Sequence, residues 1–204
     1  MTDDQHKDKA LAVTDTSAQT TEGSADEAQS PQVVIEFQGV SQRAISQVWE
    51  QLKEGAIPEG AAFTLARSMV DHQHWYAVYE TIGIFDTGEE AYPDEVNPFL
   101  HVNLHFLIGL QILNASPLGA QKFYLAREHQ GDEPHEIIHM MMDAFQRHLV
   151  WTAMHAGPEG KFDMNAYEDT LEVLESLDRD EIWERLGHDE PPTLHPEAHQ
   201  AFHF

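Results

Sequence analysis

The stretch NPFLHVNLHFLIGLQIL, residues 97–113, limits the fold more than any other part of the chain. Asn followed by Pro is the expected opening of a helix: Asn caps free backbone N–H groups, and Pro lacks the one that would go unpaired. Past the cap, almost every side chain is apolar, whichever face it lies on. Such a helix has little to offer water and belongs among other helices. His101, Asn103, His105 and Gln111 interrupt the run, and nothing in the chain reaches the length of a membrane span free of such residues.

The remaining sequence supplies the neighbours. Ser41 is placed to cap a helix ending near Gly55, with Ile45, Val48, Trp49 and Leu52 on one face. A second helix is expected from Ala61 to Ile82, carrying Leu65, Met69, His72, Tyr76 and Tyr79 on one stripe. Residues 83–96 read as an acidic loop. Helices are expected from Ser116-Pro117 to about His129 and from Asp132 to Gly157. A last acidic helix or pair covers about 164–186. VVIEF (33–37) is a short strand or an apolar lead-in, and as a strand it would have no partner.

The expected fold is therefore all-α, a compact bundle of about five to six helices over residues 33–187. Residues 1–32, polar and acidic, are expected to be a disordered tail, because they bury too little to offset chain entropy. Residues 188–204, rich in His and Pro, are expected to be a flexible tail.

Charge narrows the partners. With 36 acidic against 11 basic residues, the formal charge is −25. That field repels phosphate backbones and anionic lipid, so neither nucleic acid nor membrane is expected as a partner. A basic protein or a small-molecule substrate remains compatible. There are no cysteines, hence no disulfides, no thiolate nucleophile and no Cys-bound zinc. The first residues lack a signal-peptide pattern, so a cytoplasmic location is the default expectation.

Histidine carries the chemistry. The chain has 14, and two pairs are spaced i, i+4 on the most apolar helices: His101 with His105, and His135 with His139. That spacing puts both rings of a pair on one helix face. His72 is a fifth candidate, on the stripe of the second helix. A single histidine on an apolar face is more often a hydrogen-bonded core residue than a ligand. Five of them would need five sets of polar partners, and Asn103, Gln111 and Gln146 are few. Helix bundles build metal sites from facing side chains, and imidazole suits a divalent transition metal, zinc or iron foremost, over magnesium or calcium.

HEIIH (135–139) also fits the zinc-peptidase motif, in which Glu136 would be the general base. That reading needs a third ligand, for which Glu168 and Glu172 are available, and a sheet to hold peptide, for which no strand pattern follows. The carboxylate-rich di-iron plan needs a second Glu-x-x-His element, and none is present. Glu136 thus stands as a ligand, an acid/base or a residue facing a neighbouring helix. Asp71 and Asp143 are candidate carboxylates behind the ligands, while His148 and His155 lie off the 135/139 stripe. The non-enzymatic alternative is an acidic interaction protein whose core histidines are structural.

In order along the chain, NPFLHVNLHFLIGLQ, SPLGAQKFY and GDEPHEIIHMMMDAFQRHLVWTA resemble the bacterial family DUF1841, a domain of unknown function. The likeness spans about residues 41–177 and is strongest over 92–155. An upstream His-Pro-x-Tyr element of that family is similar to His72-Gln73-His74-Trp75, with Gln in place of Pro, which leaves open whether His72 or His74 faces inward. The resemblance implies a small helical protein and points to His72, His101, His105 and His139. It implies no reaction.

Overall fold

Ser41 begins the first helix as its residue type predicts: its hydroxyl accepts from the Ala44 N–H at 3.3 Å. In the computed structural model, which describes residues 40–81, 97–156 and 160–188, that helix is α1 (Gln42–Lys53). It is followed by α2 (Ala61–Val70), a 3-10 turn (Gln73–Trp75) and α3 (Tyr76–Thr81). Then come α4 (Pro98–Asn114), α5 (Leu118–Gln130), α6 (Pro134–Ala156), α7 (Met164–Glu175) and α8 (Arg179–Arg185). Eight α-helices and no strand stand among the described residues, and none of the helices is long and apolar enough to cross a membrane. The tails 1–32 and 189–204, the 33–37 segment and the 83–96 loop lie outside the described residues.

The all-α expectation holds and the helix number does not. The last acidic segment divides at Ser176–Asp178, where α8 starts with the Asp178 N–H donating to the Glu181 carboxylate at 3.0 Å. The other extra helix comes from a break in the expected 61–82 helix. There the Nδ1–H of His72 donates to the Ser68 carbonyl at 2.6 Å. That oxygen is the one the His72 backbone N–H would use in a continuous helix. The backbone N–H turns instead to Met69 O at 3.2 Å, and His72 leaves the helical region at φ −122°, ψ 59°. A side chain has taken the helix's own acceptor.

α4 is shared by two cores. Its Phe99 and Val102 pack with Ile45, Trp49, Met69 and Tyr79 of α1–α3. Its Leu104 and Ile108 pack with Phe123, Met141, Phe145, Tyr167 and Trp183 of α5–α8. This double service explains why the helix is apolar on most of its circumference. Its polar interruptions are paired: Asn103 Oδ1 accepts the Val40 N–H, and Gln111 Oε1 accepts the Tyr167 hydroxyl at 3.2 Å. Burial is not complete, since Leu100 and Leu113 are exposed, as are Val150, Trp151 and Met154 on α6. His101 and His105 lie on α4 between the residues that serve one core and those that serve the other.

Candidate metal centre

Five imidazoles meet where α4, α6 and the break after α2 come together. Asn97 starts α4 by accepting from the Phe99 N–H at 2.9 Å and the Leu100 N–H at 3.2 Å. One turn of helix separates His101 from His105, and their Nε2 atoms stand 3.1 Å apart. On α6, His135 and His139 repeat the pattern at 3.0 Å. His105 and His139 face each other across the two helices at 3.1 Å. His72 closes the figure, with its Nε2 2.8 Å from that of His101 and 3.3 Å from that of His135. The five nitrogens form a closed five-membered ring. Those of His72, His105, His135 and His139 all lie within 4.8 Å of one another.

Hydrogen bonding alone cannot satisfy that ring. Each Nε2 carries either a proton or a lone pair in the imidazole plane. His72 has its proton on Nδ1, donated to Ser68, so its Nε2 is an acceptor. Each of the other nitrogens can likewise serve one partner, so at most two of the five Nε2–Nε2 contacts can be hydrogen bonds. Adjacent nitrogens bound at about 2.0–2.1 Å to one ion, at angles near 90–109°, would stand about 2.9–3.4 Å from each other, and the four of His72, His105, His135 and His139 form a group that could hold a metal ion.

The surroundings of three rings favour the neutral form, the form that binds metal. Burial, then the neighbouring imidazoles, push His101 down to about 3 and hold His105 and His139 well below the ordinary histidine range. His72, His105 and His135 are buried, and His101 and His139 are half-buried. Trp75 packs against the cluster, stacked on His72 at 4.8 Å and edge-on to His101 at 5.0 Å.

All five candidate histidines are brought together, and of His72 and His74 it is His72 that turns inward, while His74 is exposed. Glu136 is directed elsewhere. Its Oε1 accepts the Trp183 indole N–H at 2.8 Å and pairs with Arg179 at 2.6 Å, both from α8. Next to His135 in sequence, it lies about 100° further round the helix. The general-base geometry of the zinc-peptidase motif is not formed. Glu168 accepts from the Gly119 N–H at 2.8 Å, Asp71 pairs with Arg67 at 3.1 Å, and Asp143 pairs with His188 at 2.5 Å. His148 bonds Thr170, and exposed His155 donates to the Trp151 carbonyl. Sequence reasoning missed the Ser68 carbonyl, a backbone atom with no signature of its own, and it placed Trp75 in the His72–Trp75 element without its stacking on His72.

Among family models, the one described as a domain of unknown function (DUF1841) matches residues 40–173, a span that contains all five histidines. No curated protein and no solved structure gives a match.

Proposed function

The chain belongs to the DUF1841 family, and from that premise we propose that it is a metal-binding helical bundle in which His72, His101, His105, His135 and His139 hold one divalent transition ion. The observation that carries this reading is the closed ring of five Nε2 atoms, separated by 2.8–3.3 Å. Five imidazole nitrogens converging from three segments is the arrangement a shared cation uses.

An all-imidazole set suits iron, zinc, nickel or copper. Structural zinc is satisfied by four ligands. Five nitrogens are one too many for it and favour an ion at ease with five or six, so iron stands before zinc. An ion held by these five imidazoles would supply Lewis-acid or one-electron chemistry at the site. The protein's own residues do the rest. Ser68 fixes the tautomer and tilt of His72, α4 and α6 present two ligands each, and Trp75 stacks on His72.

Elemental analysis of tag-free protein tests the reading. It should be run beside a variant whose tail histidines, His195, His199 and His203, are all replaced by Gln. About one metal per chain is expected in both. His105→Ala, and separately His101→Ala, should lose it while far-UV circular dichroism stays helical. Metal well below one per chain, or retained in both alanine variants, refutes the site.

A further inference from the structure

A cleft of about 220 Å³ opens beside the ring of histidines. Its wall is almost wholly apolar, with Phe63 from α2, Ile112 and Leu113 from α4, Tyr124 from α5 and Ile138 from α6. Two of its lining residues belong to the histidine assembly. His105 is part of the wall, and so is Ser68, whose carbonyl fixes His72 at 2.6 Å. Phe63 and Leu113 are 45% and 54% exposed, large apolar side chains left open to solvent. The charges that reach the wall, Arg67 and Asp71, are an ion pair at 3.1 Å and offer no net charge to a ligand.

We propose that this cleft is the substrate pocket of the metal centre and takes a small, uncharged, largely apolar molecule, about the size of one aromatic ring with a short substituent. This rests on the metal reading above. The size follows from a volume below the 300–1,000 Å³ common for drug-sized ligands. The lack of charge follows from the wall, where Arg67 and Asp71 are paired with each other, and the overall charge of −25 further disfavours an anion. The coupling to the metal follows from His105 and Ser68, through which an occupant touches one ligand ring and the anchor of another.

Toluene is the probe, with the full-length chain in two states. In the metal-free chain, toluene proton lines should broaden, and Leu113→Trp should weaken binding about tenfold or more by filling the cleft. Should that variant fold poorly, Phe63→Trp closes the opposite wall to the same effect. In the cobalt-loaded chain, toluene should shift the visible bands of the ion. Absence of binding, or binding unchanged in the folded Trp variant, overturns the pocket. Binding that leaves the cobalt bands unmoved overturns its role as the metal's substrate site. A chain that takes up no cobalt refutes the metal centre, and the metal-free titration still decides the cleft.

Discussion

Glu136 and His135 are neighbours in sequence and serve different ends. His135 turns towards the other imidazoles, whereas Glu136 accepts from Trp183 at 2.8 Å and pairs with Arg179 at 2.6 Å. Together they tie α6 to α8. The HEIIH pattern therefore holds two ring histidines around a glutamate that braces a helix. Glu136→Gln should leave metal content unchanged, since the amide oxygen still accepts from Trp183. It should lower stability by about 1 kcal/mol through loss of the Arg179 pair. Metal analysis and a urea melt read the two effects separately, and loss of metal would return Glu136 to the site. His72 shows how one residue can reshape a helix. Its Nδ1 proton goes to Ser68, which breaks the helix and leaves Nε2 bare for the ring.

At the level of elements, α4 and α6 present their histidine pairs in the same sense. The earlier residues, His101 and His135, flank His72, and the later ones, His105 and His139, meet at 3.1 Å. The ring thus depends on α4 being held close to both α2 and α6. Gly109 marks the close approach to α2: a Cβ there would stand 3.0 Å from the Thr64 Cβ. Gly109→Val, one turn after His105, should push the two helices apart. A cost of about 1–3 kcal/mol is expected, as in other overpacked interiors. Metal affinity should fall with it, measured by competition with a chelator. Unchanged affinity would mean that the ring tolerates a shift of α4. The i, i+4 pairs were legible from spacing, because that geometry is local to a helix. The end of α2 was not, because it depends on where one imidazole sends its Nδ1 proton.

For the molecule as a whole, three buried or half-buried imidazoles, His101, His105 and His139, tie stability to pH. Burial and mutual repulsion hold His101 at about 3, and His105 and His139 well below their usual range, in the folded state. The unfolded chain takes up those protons near pH 6.5. Below that value the unfolded state binds more protons, so stability is complete above about pH 6.5 and declines as the pH falls towards the folded values. Three such groups give a slope of roughly 4 kcal/mol per pH unit, enough to unfold a domain of ordinary stability near pH 5. Thermal melts of the metal-free chain should be flat from pH 8 to 7 and drop steeply below 6.5. A melting temperature that holds down to pH 4 would contradict the buried ring. By itself, the sequence determined the helical class, most helix starts and the two histidine pairs. Each follows from interactions within a few residues: a cap, a stop, a spacing of four. Only the tertiary structure decided that His72, not His74, completes a ring of five, that Glu136 faces α8, and that a cleft reaches His105. Those outcomes depend on how α2, α4, α6 and α8 pack together, and packing between distant segments leaves no periodic mark in the chain.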